Sequence, residues 1–144
     1  MKWSLRQILF ALIVAGIVGL AAELLLLEHT ESWTQWIPLV VLLAGFPSSM
    51  WLLFRPGPLA LKTFQVIMVS FVVAGVAGLY FHYAGNIEFA VERDSALSGA
   101  GLVWEALRGA TPSLAPGALA QLGLLGLAYT YAHPASQRTV SGDC

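Results

Sequence analysis

The stretch ILFALIVAGIVGLAAELLLL, residues 8–27, decides the fold. Glu23 is the one ionisable side chain among its twenty residues, and at 1.5 Å of rise per residue a helix of that length covers the roughly 30 Å hydrocarbon core of a bilayer. A helix on the surface of a soluble domain would carry a polar face, and this run has none. Lys2 and Arg6 in front of it, with small residues at 19–21, give it some features of a cleaved signal. The apolar run continues through Leu27, so it reads as a retained span.

Outward along the chain the pattern recurs three times, at 36–54, 64–83 and 114–131. The composition agrees: 58% of the 144 residues are hydrophobic and 10% charged, against roughly a quarter charged in soluble proteins. Mean hydropathy is +0.75. Backbone groups in lipid must bond within their own segment, so all four spans are expected to be helices. The expected fold is an all-α polytopic membrane protein, a single transmembrane four-helix domain over 1–144, with the bilayer as its first partner. A net charge of −1 carries no nucleic-acid signal. The single cysteine, Cys144, allows neither a disulfide framework nor a pair of metal thiolates, and as the last residue it does not fit a prenylation motif.

Charge then orients the spans. Lys2, Arg6, Arg55, Lys62 and Arg138 fall on one side and only Arg93 and Arg108 on the other, so the positive-inside rule puts both termini in the cytoplasm. Glu28, Glu31, Glu88, Glu92, Asp94 and Glu105 make the outer loops acidic. Trp33, Trp36, Tyr80, Tyr83 and Trp104 fit an outer aromatic belt, and Trp3, Trp51, Tyr129 and Tyr131 an inner one.

An internal echo suggests how the helices meet. VAGIVGL at 14–20 returns as VAGVAGL at 73–79, either by duplication of a helical hairpin or because membrane helices draw heavily on these residues. Both segments gather small residues on one helical face, which lets backbones approach closely. The expected contact joins the first and third spans through Ala15, Gly19, Ala74 and Gly78. The same offset of 59 takes Glu23 to His82, and the two are read as a structural polar contact, as a ligand or proton site, or, with Glu23 protonated or reaching toward the headgroups, as residues of no specific role. Gln121 is a mid-span residue able to bond across helices, and Pro47 with Ser48 and Ser49 is expected to kink the second span.

The loops hold what little reactive chemistry there is. EHTESWTQW, residues 28–36, offers Glu28, His29 and Glu31 as metal ligands, and His29 with His82 would make a haem or metal pair if the helices bring them together. Solvated interface residues are the plainer reading of all four, and His133 reads as a helix-terminus residue. In the outer loop at 84–113, NIEFAVE alternates apolar and polar residues with a period of two and suggests an extended strip. SGAGLVWEALRGATP, residues 98–112, suggests a short amphipathic helix lying in the interface, with Pro112 and Pro116 opening the last span. No nucleophile and base stand together, and no glycine loop would cradle a phosphate.

AAELLLLEHTESWTQWIPL, HYAGNIEF and LGLLGLAYTYAHP resemble a group of small, uncharacterised bacterial inner-membrane proteins with four predicted helices. The resemblance implies a bacterial origin and carries no activity, ligand or catalytic residue. The leading expectation is a non-catalytic accessory subunit that packs against other membrane subunits in a larger bacterial complex, of electron-transfer or photosynthetic type, with no cofactor of its own. One alternative is a haem- or metal-binding redox protein using the outer histidines and carboxylates; another is a small transporter or proton-coupled enzyme centred on Glu23.

Overall fold

Ser-x-x-Gln opens the first two helices. In the computed structural model, which describes residues 3–109, 111 and 116–139 (137–139 in backbone alone), Ser4 caps α1, Leu5–Leu26. Its hydroxyl accepts from the Gln7 N–H at 3.3 Å, and the Gln7 side chain accepts from the Ser4 N–H at 2.9 Å. Ser32 precedes α2, Trp33–Phe54, where Gln35 accepts in turn from the Ser32 and Glu31 N–H groups. Then follow α3, Pro58–Arg93, with proline in its first turn; α4, Gly99–Leu107; α5, Gly117–Thr130; and a short 3₁₀ helix, Pro134–Thr139. Lys2, Pro112, Leu114, Cys144 and the Arg138 side chain lie outside the described residues.

The described chain is all-helical, and α1, α2 and α3 are each long and apolar enough to cross a membrane. The fourth expected span is shorter: the 14 residues of α5 cover about 21 Å. Leu43, Val73 and Leu124 are 75%, 62% and 57% exposed, so the outside of the bundle is apolar. Inside lie Ile13, Ile17, Leu42, Phe64, Met68 and Phe71, fully or almost fully buried.

Two expectations about the third helix are corrected. The strip expected to be extended, within 86–92, is the last part of a 36-residue helix. The buried residues of α3 include Phe64, Met68, Phe71, Gly75, Asn86 and Ala90, a stripe spaced by threes, fours and one interval of eleven, which is three helical turns. Asn86 and Ala90 continue that stripe, whereas Phe89 and Val91 are exposed, so the period of two marks no buried edge. Helix three therefore extends well past Tyr83, and the loop that leads to α4 begins near Asp94.

The second correction concerns packing. α1 and α3 do not meet through Ala15, Gly19, Ala74 and Gly78; α5 lies against both. A Cβ added at Gly19 would meet nothing within 4 Å, whereas one at Gly78 would meet Pro116, one at Gly16 Leu122, and one at Gly75 the Ala120 backbone nitrogen at 2.5 Å. The two echoed segments thus present their first glycines to α5. α5 answers with its own: a Cβ at Gly123 would lie 2.6 Å from the Met68 carbonyl oxygen, and Gly126 meets the Met68 side chain. α3 and α5 form the tightest pair, as expected where small residues let backbones close up.

α2 closes the bundle on α3, with the Phe71 ring seated on Gly45. Pro47 removes one bond to the Leu43 carbonyl, yet α2 is unbroken from Trp33 to Phe54. The Ser48 and Ser49 hydroxyls both donate to the Gly45 carbonyl, at 2.9 and 2.8 Å, so these buried hydroxyls are satisfied within the helix.

Candidate functional site

The end of the bundle that carries the α1–α2 loop and α4 gathers most of the sequence candidates. α1 stops in a reversal at Glu28, whose φ is +50°. The Glu28 N–H bonds to the Leu25 carbonyl and the His29 N–H to that of Leu24, the paired bonds of a Schellman motif with glutamate where glycine is usual. That turn brings His29 back toward α3. His29 and His82 stand with ring centroids 6.2 Å apart and planes tilted by 46°.

Burial holds His29 below the ordinary histidine pKa of 6.5, His82 beside it pushes the same way, and Glu31 pulls back. The sequence candidates thus divide. His29 and His82 come together, and the Glu31 charge acts on His29; Glu28 serves the turn through its backbone; Glu23 is exposed on α1, and the aromatic neighbour of His82 is His29. Gln121 is exposed on α5 rather than bonded across the bundle. Among the described residues no three histidine, cysteine, aspartate or glutamate side chains converge as a metal-ligand set.

Beyond this pair the same end is organised by Asn86, 2% exposed. Its amide nitrogen donates to the carbonyls of Ala106 at 2.9 Å and Thr111 at 2.7 Å, and its oxygen accepts from the Thr111 N–H and hydroxyl. One side chain ties α4 and the segment after it to α3. Next to it lies a shallow cleft of about 210 Å³ lined by Asn86, Phe89, Ala90, Arg93, Glu105, Arg108 and Gly109. Arg93 donates to Glu105 at 3.0 Å, and the Arg108 guanidinium lies 5.7 Å from the Trp104 ring centre.

The opposite end is held by Arg6. Its guanidinium donates to the carbonyls of Tyr129 at 2.8 Å, Tyr131 at 3.3 Å and Ala132 at 3.4 Å, so a cation closes the C-terminus of α5, where helix carbonyls lack partners and the dipole is negative. His133 is buried beneath this cap. Its Nδ1 accepts from the Ala135 N–H, which leaves the proton of the neutral ring on Nε2, 3.4 Å from the Tyr129 hydroxyl. Burial first, and then Arg6, holds its pKa below 6.5.

In the sequence Arg6 reads as a positive charge ahead of the first span and a marker of topology, and no role is assigned to Asn86 itself. A signal for Asn86 existed: it falls three helical turns after Gly75, on the buried stripe. Nothing in the local sequence marks the carbonyls that Arg6 finds 123 residues away. No protein-family model, no curated protein and no solved structure matches this chain.

Proposed function

We propose that this chain is a membrane-embedded, non-catalytic subunit that packs against a partner subunit through the outward face of α1. The observation that carries the reading is that face itself. Phe10, Ile13 and Ile17 point inward, while Ile8, Leu12, Ala15, Gly19 and Ala22 lie exposed on the other side with Glu23 at its edge. Small residues at this spacing suit a close helix crossing, and the chain's own helices leave them uncovered. Glu23 sits roughly 6 Å below Leu27, the residue that caps α1. A carboxylate facing lipid is unfavourable, by roughly 2.5–3.5 kcal/mol at the bilayer centre and less toward the surface, and a partner that supplies a hydrogen bond would relieve it.

In this reading the protein sits in a bacterial inner membrane with both termini cytoplasmic. Purification in mild detergent should bring down a second membrane protein, identified by mass spectrometry, and Gly19→Leu should release it without lowering the chain's own unfolding midpoint. A chain that purifies alone or only with copies of itself would sink the proposal. For topology, cysteines at Ser32 and Ser98 in a Cys144→Ser background should react with an impermeant thiol reagent from outside intact cells, and one at Gly57 should not; the reverse pattern would overturn the orientation.

One observation favours a second reading. The adjacency of His29 and His82, with Glu31 close by, supports a redox or metal-binding role at the outer rim. An optical spectrum and metal analysis of the purified chain separate the two, since colour or stoichiometric metal lost in His82→Ala would favour the second.

A further inference from the structure

The cleft between the end of α3 and α4 draws together the two cations that the charge pattern leaves unexplained. In the charge pattern of the sequence Arg93 and Arg108 fall on the side opposite Arg6, Arg55 and Lys62, and both line this one cleft although 15 residues separate them. We propose that it binds the phosphate of an anionic phospholipid headgroup from the leaflet at which α4 lies. The inference rests on the membrane reading above and not on the partner subunit.

Charge is the first argument. Arg93 and Arg108 contribute two positive charges and Glu105 one negative, so the lining carries a net +1, the complement of a monoanionic phosphodiester. The Glu105 carboxylate faces the cleft but is held by Arg93 at 3.0 Å, and Arg108 has no carboxylate partner among the described residues. Each guanidinium has five N–H donors in a planar fork suited to phosphate oxygens. Glu88 and Glu92 on this stretch of α3 and Asp94 at its C-cap do not line the cleft.

Size and setting agree. A volume of about 210 Å³ exceeds the roughly 30 Å³ share of a single water and falls below the roughly 300 Å³ at which drug-sized pockets begin. Asn86 fixes the cleft in advance through its bonds to Ala106 and Thr111, and the Trp104 ring positions Arg108. Phe89, Val103, Trp104 and Leu107 are exposed apolar side chains on the same two helices, where acyl chains would lie once a headgroup is held.

The full chain in an uncharged detergent, titrated with phosphatidylglycerol, phosphatidylcholine or sodium phosphate and read by native mass spectrometry, tests this. Phosphatidylglycerol should bind in preference to phosphatidylcholine, and millimolar phosphate should not displace it. Arg108→Gln, which leaves the Arg93–Glu105 pair in place, should weaken phosphatidylglycerol binding about tenfold, as loss of one charge-assisted contact implies. Arg55→Gln at the other end should change nothing. Glu105→Gln, which removes the opposing charge, should tighten binding severalfold, an outcome that misfolding cannot imitate. Equal binding of the two lipids, displacement by free phosphate, wild-type affinity in Arg108→Gln, or weaker binding in Glu105→Gln would each overturn the assignment.

Discussion

Asn86 uses both amide hydrogens and its oxygen inside the chain, and that makes it the residue on which the α4 end depends. In Asn86→Ala the Thr111 carbonyl and N–H lose their bonds to the amide beside a buried site, while the Ala106 carbonyl keeps its bond from the Gly109 N–H, which should cost about 1–3 kcal/mol in all. The check is the unfolding midpoint in detergent, with faster proteolytic nicking between α3 and α4; an unchanged midpoint would mean water replaces the amide at no cost. Glu28 offers a change of the opposite sign. Its φ of +50° is a conformation that costs a residue with a Cβ about 1–2 kcal/mol, so Glu28→Gly should add up to about that much stability and raise the midpoint. The local sequence shows neither role. Asn86 sits in a run that alternates like a strand, and its burial becomes legible only when the α3 stripe is carried on from Gly75; Glu28 sits before a histidine and reads as a ligand because it is acidic.

Among the elements, what the sequence carries is composition and spacing, and what it leaves open is which glycine faces which neighbour. Three of the four expected spans correspond to helices long and apolar enough to cross a membrane, because a twenty-residue apolar run has one low-energy answer in lipid. The pairing of those helices rests on individual close approaches. VAGIVGL and VAGVAGL suggested a contact with each other, but α5 has Gly123 and Gly126 at a spacing that lets it come within reach of α3, and the echoed glycines Gly16 and Gly75 both turn to α5. Substitutions separate the two arrangements. Gly75→Ala and Gly123→Ala would drive a methyl into backbone atoms across the interface and should each destabilise by about 1–3 kcal/mol, the usual cost of overpacking. Gly19→Ala has open space and should be near neutral. Thermal unfolding of the three variants decides it: a Gly19 change as damaging as the Gly75 change would restore the contact between α1 and α3.

For the whole molecule, the two ends are fastened by polar groups, Asn86 at one and Arg6 at the other, and each end also carries a histidine whose pKa is lowered. His29 and His133 are both held below 6.5, first by burial, and then by His82 in one case and Arg6 in the other, with Glu31 opposing at His29. The sign of the resulting pH dependence follows from linkage. Between the ordinary value of 6.5 and the lower folded values, the unfolded chain binds protons that the folded chain does not, so stability rises with pH across that window. The full contribution is present above about 6.5, is lost as the pH falls through the window, and falls no further once the folded rings are themselves protonated. Protonation would also set His29 against His82 and His133 against Arg6, while Glu31 and the Tyr129 hydroxyl remain beside them. The detergent unfolding midpoint should therefore drop between pH 7 and pH 5. His133→Asn keeps an oxygen able to accept from the Ala135 N–H, and His29→Gln keeps a neutral polar side chain in the loop, so the double variant should fold and show a visibly shallower pH dependence. If the slope in that variant equals the wild-type slope, the acid sensitivity belongs to other groups and the two histidines are merely packed at their ends of the bundle.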